Sequence, residues 1–264
     1  MNIFVFLGPT LPVAEARLIL DATYLPPVAM GDISALMERR PTAIAIIDGL
    51  FQRVPAVWHK EILFALSQGV RVFGSSSMGA LRAAELHMFG MEGVGQVFEA
   101  YRDGLFEDDD EVAVIHGPEE FGYRQISEAM VNLRAGLQRA EAAGLISPAT
   151  RQALLREAKR MFYPERSWPR LLECGAGSGL PEGELAALRD FVRRENPNVK
   201  RDDAIELLRR VAAECAAGMA PHQPDFYFEP TSFWLKLGAL EAPADEAQTP
   251  CDQTHQDDEI LTAA

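Results

Sequence analysis

Short apolar runs alternate with helix-period segments through the first half of the chain, and longer amphipathic repeats take over after residue 126. The first arrangement is that of a parallel α/β sheet, whose strands are buried on both faces and read as continuous apolar stretches. Residues 2–7 predict the first strand, followed by the Gly8-Pro9-Thr10 loop and a helix over 12–20. A second strand, 43–47, ends at Asp48 and Gly49, and a third, 70–73, ends at a serine-rich turn. Trp58, Ile62 and Ala65 or Leu66 recur at helical spacing and predict a helix over 58–67, with His59, Lys60 and Glu61 at its exposed start.

An Ala-rich helix follows the serine turn. FGMEGVG (89–95) then reads as two glycine turns leading to a helix over 96–102. The acidic run 107–111 precedes a strand or extended segment at 112–115. Four further helices are predicted: 126–143, one capped by Ser147 and running to about residue 161, 185–195 and 204–217. The stretches YPERSWPR and GAGSGLPEG read as loops between them, and there is no internal repeat. The expected fold is α/β: an N-terminal parallel-sheet, Rossmann-like unit over 1–125, a helical portion over 126–240, and a tail over 241–264.

Composition narrows the partners. The net charge is −14, which argues against nucleic acid, whose recognition needs basic surface. Half of the imbalance sits in residues 241–264, which carry seven acids and no Lys or Arg; with few large apolar groups, that tail is expected to be disordered. No segment reaches the roughly 20 apolar residues of a membrane span, and residues 1–7 lack a signal-peptide pattern. A cytoplasmic location is expected. Cys174, Cys215 and Cys251 are too widely spaced for a CxxC metal site or a disulfide framework.

The chemistry concentrates in GSSSMGALRAAE, residues 74–85. A strand, a tight turn of small residues and a helix match the nucleophile-elbow pattern, with Ser75, Ser77 and Gly79 as its small-x-Ser-x-small signature. Ser77 is the projecting hydroxyl, and the amides of Met78, Gly79 and Ala80 at the helix start are candidate oxyanion donors. Ser76 belongs to the same turn. A simple N-cap or a phosphate cradle would use similar residues. In open α/β sheets ligands gather at the carboxyl ends of strands. Gly8 and Thr10 of the first loop and Asp48 of the second are therefore expected to line one crevice with the turn.

A serine nucleophile needs a base. His255 lies in the tail, His222 in a Pro-rich loop, and His87 about ten residues of helix away from Ser77. His59 and His116 remain, and spacing does not rank them. Arg82 and Glu85 are three apart on a helix and suit a surface ion pair, or Arg82 faces the crevice and pairs with an anionic substrate. The acids at 108–111 read as a solvated loop rather than a Mg²⁺ site, because neighbouring side chains on an extended segment point to opposite faces.

The ordered motifs FLGPTLP (6–12), LPPVAMGDI (25–33), IIDGLF (46–51), VWHKEIL (57–63), GSSSMGALRAAEL (74–86), FGMEGVG (89–95) and DDDEVAVIH (108–116) resemble the TfuA-like family over residues 3–135. Residues 136–264 add no match to that resemblance. It implies a partner of YcaO enzymes, which activate a backbone amide oxygen with ATP on the way to peptide thioamides. TfuA-like proteins are associated with obtaining the sulfur by hydrolysing the C-terminal thiocarboxylate of a ThiS-type carrier protein, and with helping YcaO engage its precursor peptide. Such a hydrolysis requires no cofactor. For that chemistry Ser77 is the expected nucleophile, His59 the preferred base, Asp48 its orienter and Arg82 the partner of the anionic sulfur. Met78, Gly79, Ser76, Gly8 and Thr10 complete the expected site. A non-catalytic adaptor that binds YcaO, using the helical portion, is the alternative.

Overall fold

Strands β1 (Ile3–Phe6), β2 (Thr23–Leu25), β3 (Ala43–Ile46), β4 (Arg71–Ser75) and β5 (Glu92–Val94) form one parallel sheet in the order β2-β1-β3-β4-β5. They come from a computed structural model that describes residues 1–51, 54–232 and 234. The chain divides into a unit of Met1–Glu229, which carries all the elements named here, and a second, Pro230–Ala264. The predicted acidic tail lies outside the described residues.

The strand order reverses between β1 and β3. Connections leaving these two neighbours run to opposite sides, which opens a crevice at their carboxyl ends. The three strands expected from apolar runs are the central β1, β3 and β4. The unexpected β2 and β5 are edge strands of three residues each, only partly buried, so no apolar run announces them. FGMEGVG is therefore not merely two turns, because Glu92-Gly93-Val94 pairs with β4.

Ten α-helices accompany the sheet among the described residues: α1 (Val13–Ala16), α2 (Asp32–Leu36), α3 (His59–Ser67), α4 (Met78–Leu86), α5 (Gln96–Arg102), α6 (Met130–Ala142), α7 (Pro148–Arg160), α8 (Trp168–Gly177), α9 (Glu182–Glu195) and α10 (Val199–Ala216). Ser147 caps α7 as expected, its hydroxyl accepting from the Thr150 amide. The helix expected from residue 126 starts only at Met130. Ser127 instead accepts a hydrogen bond from the Ile115 amide at 2.8 Å, and the Glu128 amide donates to the Arg166 carbonyl. Helix α8 was not expected, since the glycines at its end read as loop; Ser167 caps its start and Pro169 fits the first turn. Residues 112–115 form no strand, and a 3₁₀ turn, Asp109–Glu111, leads into them.

Alternate residues of each strand supply two cores. Phe4, Phe6, Ile44, Ile46 and Val72 face Ile62 and Leu66 of α3 and Ala83 of α4. On the other face Ile3, Val5, Ala43, Ala45, Ile47 and Phe73 meet Ala204, Leu207, Leu208 and Val211 of α10. The last of these ten helices thus covers a face of the sheet begun by the first strand. Helices α6–α9 enclose a third core of their own, with Leu133, Leu137, Leu154, Leu171 and Leu188 fully buried.

Candidate functional site

The serine turn begins where β4 leaves the sheet. The Ser77 amide donates to the Ser75 carbonyl at 2.7 Å, and Ser76 between them has φ +66°. This is a γ-turn with positive φ on a non-glycine residue, a strained conformation. The bend lets α4 start immediately after the strand. Gly74 and Gly79 bring helix and sheet together: a Cβ on Gly79 would sit 1.8 Å from the Ile46 carbonyl oxygen, and one on Gly74 would sit 2.1 Å from that of Gly79.

Ser77 occupies the N-cap position of α4, yet its side chain makes no capping hydrogen bond. Its hydroxyl has no hydrogen-bond partner among the described residues, although the residue is only 3% exposed. Ser77 lines a cleft of about 400 Å³ at the β1/β3 crevice, walled also by Pro9, Asp48, Leu50, His116 and Tyr163 among others. A larger cleft of about 690 Å³ shares Phe51 and Tyr163 with it and is lined by Met78, Arg82 and the acidic segment 107–110. N-capping, the simplest alternative for a serine here, is not what this hydroxyl does.

The histidine in the Ser77 cleft is His116. Its Nδ1 lies 2.8 Å from the Gly117 carbonyl. A carbonyl only accepts, so Nδ1 carries the proton and a neutral ring leaves Nε2 as the basic nitrogen. The expected base, His59, is placed elsewhere. Its Nε2 is 2.7 Å from Glu85, which also accepts from Arg82 at 2.7 Å, and the ring is partly exposed. Burial works to raise the Glu85 carboxyl pKa, but the hydrogen bonds from His59 and Arg82 outweigh it and hold it below the usual value. Arg82 forms the expected ion pair with Glu85 and donates to the Val57 carbonyl at 3.1 Å; it lines the larger cleft, not the one that Ser77 lines.

Asp48 is in the cleft wall but orients no histidine. Its carboxylate accepts from the Gly8 amide at 2.9 Å, the Thr10 amide at 3.1 Å and the Thr10 hydroxyl at 2.6 Å. Gly8 and Thr10 therefore spend their donors on Asp48, tying the ends of β1 and β3 together, rather than on a ligand. Of the three helix-start amides, Gly79 donates to the Ile47 carbonyl and Ala80 to that of Ser77. Only the Met78 amide is without an acceptor among the described residues. Ser76 also points away from the cleft, donating to the Lys200 backbone carbonyl at 2.7 Å.

The acidic segment is not a freely solvated loop. Asp110 pairs with Lys159 and with the fully buried Arg166, while Glu111, 3% exposed, pairs with Arg134 at 2.8 Å and Lys159 at 2.9 Å. These pairs fix the strand of chain that carries His116 onto α6 and α7. Among the described residues no group of His, Cys, Asp or Glu is arranged to hold a metal ion, and no helix is long and apolar enough to cross a membrane.

Residues 48–167 match the family model described as TfuA-like protein. None of the curated proteins compared with the chain matches it. The matched region holds Asp48, the serine turn, Arg82 and His116, and runs past residue 135, where the resemblance seen in the sequence ends, to the cap of α8. Gly8 and Thr10 lie before it.

Proposed function

We propose that this chain, a member of the TfuA-like family over residues 48–167, hydrolyses the C-terminal thiocarboxylate of a ThiS-type carrier protein and so delivers sulfide to a YcaO partner for peptide thioamide formation. The observation that carries this reading is Ser77, buried, with a hydroxyl that has no hydrogen-bond partner among the described residues, in the wall of the cleft that His116 also lines.

The Ser77 oxygen attacks the thiocarboxylate carbon while His116 Nε2 takes its proton. The Met78 amide is the donor available to the tetrahedral oxyanion. Collapse expels the sulfur, which leaves as hydrosulfide with the proton returned from His116, and an acyl-serine remains. Water, deprotonated by the same histidine, then releases the carboxylate and frees Ser77. The net change is thiocarboxylate and water to carboxylate and hydrogen sulfide, with no change of oxidation state. Arg82, in the adjoining cleft, supplies positive charge for an anionic carrier tail.

Mass spectrometry of the carrier C-terminus after incubation with this protein alone tests the reading directly. Conversion to the carboxylate, abolished in Ser77→Ala, supports it. An unchanged thiocarboxylate with the wild-type protein overturns it. If the protein nevertheless lowers the substrate concentration that a YcaO enzyme needs, the adaptor alternative takes its place.

A further inference from the structure

The serine turn is held from outside the family-matched region. Ser76, at the centre of the strained γ-turn, is fully buried and donates its hydroxyl to the backbone carbonyl of Lys200, 124 residues later in the chain. Lys200 stands in the first turn of α10 and is 2% exposed. Its amide donates to the Asn132 side chain of α6 at 3.2 Å. Its ammonium donates to the Val112 carbonyl at 2.9 Å, four residues before His116. Burial pushes the Lys200 pKa down, while the charges of Asp48 and Glu128 oppose that shift. One residue thus touches the turn that presents Ser77, the segment that presents His116, and the electrostatic surroundings of Asp48.

A buried lysine is costly and persists only where its bonds are needed. A positive φ on serine likewise persists only where the surroundings over-determine it. Both costs meet in one contact. We infer that Lys200 and Ser76 form a clamp that positions the Ser77 hydroxyl against the His116 side of the cleft. Lys200 is a positioning residue acting through the turn and through Val112; it does not line either cleft beside Ser77. This inference rests on the hydrolytic reading for its kinetic consequence, but the clamp itself is a statement about the turn.

Two variants separate the halves of the clamp. Ser76→Ala removes the bond to the Lys200 carbonyl without altering α10, and Lys200→Met removes the bond to Val112 while keeping the backbone carbonyl. In sulfide release from a thiocarboxylated carrier, each lowers kcat by about tenfold to a hundredfold, the usual penalty for a nucleophile displaced by a fraction of an ångström to one ångström. KM stays within about twofold, because no cleft-lining side chain has changed. Ser76→Gly accepts the positive φ without strain yet lacks the hydroxyl, so it is as slow as Ser76→Ala. Wild-type kcat in Ser76→Gly, or losses expressed in KM alone, overturns the clamp.

Hydrogen exchange read on the 74–86 segment does not need the carrier. The clamp predicts about tenfold faster exchange there in Ser76→Ala and Lys200→Met, corresponding to one lost hydrogen bond. Unchanged exchange in both overturns it. If the wild-type protein releases no sulfide, the hydrolytic reading fails alone and the exchange result still decides the clamp.

Discussion

Replacing Gly79 by alanine tests how the serine turn is seated. A Cβ built there lies 1.8 Å from the Ile46 carbonyl oxygen and 2.6 Å from its carbon, so α4 would have to retreat by about 1.6 Å to restore an ordinary 3.4 Å contact. The atom met is backbone in a central strand and cannot rotate away. Retreat would also strain the Gly79 amide bond to the Ile47 carbonyl, already 3.3 Å long. Overpacking of this kind costs about 1–3 kcal/mol, and the backbone contact puts Gly79→Ala at the upper end. That loss opposes the gain of about 1 kcal/mol which alanine otherwise has over glycine within a helix. The net expectation is about 2 kcal/mol of destabilisation, read as a fall of about 1 M in the urea midpoint for a slope near 2 kcal/mol/M. Gly183→Ala in α9 is the control: nothing lies within 4 Å of its Cβ, and its midpoint is expected to hold or rise. A Gly79→Ala midpoint equal to that of wild type, or above it, refutes the close-approach argument.

The remaining predictions address the site and its supports. His116→Gln lowers sulfide release by about a hundredfold or more, the usual weight of a general base; His59→Gln, whose ring is engaged by Glu85, stays within about threefold, and the reverse ranking in a steady-state assay would restore His59 as the base. Asp203 accepts from the Gln96 and Val97 amides at the start of α5, and burial raises its pKa to about 7. Its folded value thus lies above its unfolded one, the native state binds the extra proton between about pH 4 and 7, and Asp203 draws stability down as pH rises through that window. Denaturant titrations across pH should show wild type losing stability relative to Asp203→Asn over that range, and a constant difference would contradict it. Arg166→Met leaves Asp110 without its buried partner and removes the bonds to the Ala158 and Asp110 carbonyls; a loss of about 3 kcal/mol is expected in chemical unfolding, and a change under about 0.5 kcal/mol would show the pair to be dispensable.

The legibility of each element tracked its burial. Strands β1, β3 and β4 are buried almost throughout and announce themselves as apolar runs, whereas β2 and β5 owe their existence to a neighbour's backbone and show three mixed residues each. The serine turn was legible as a turn, because glycines and small hydroxyl residues between a strand and a helix let the backbone bend sharply. Its partners were not. His59 and His116 are equivalent as letters, and only the pairing of one with Glu85 and the placing of the other in the wall of the Ser77 cleft distinguishes them. Gly8 and Thr10 meet Asp48 at the strand ends, but the number of donors around the carboxylate, which takes them away from a ligand, is a tertiary fact. Lys200 left a trace that could have been followed: it sits four before Ala204 and seven before Leu207, on the apolar stripe of α10, where a charged residue is out of place.

Helix α10 also sets an order of events at the ribosome. Ile3, Val5, Ala45, Ile47 and Phe73 emerge early, but the side chains that shield them, Ala204 to Val211, are made more than a hundred residues later. Until then the nascent sheet presents a greasy flank to the cell, and a protein cut at the end of the family-matched region would keep that flank for life. Such a fragment is expected to need a chaperone or to precipitate, so the shortest autonomous version of this protein is one that retains its tenth helix.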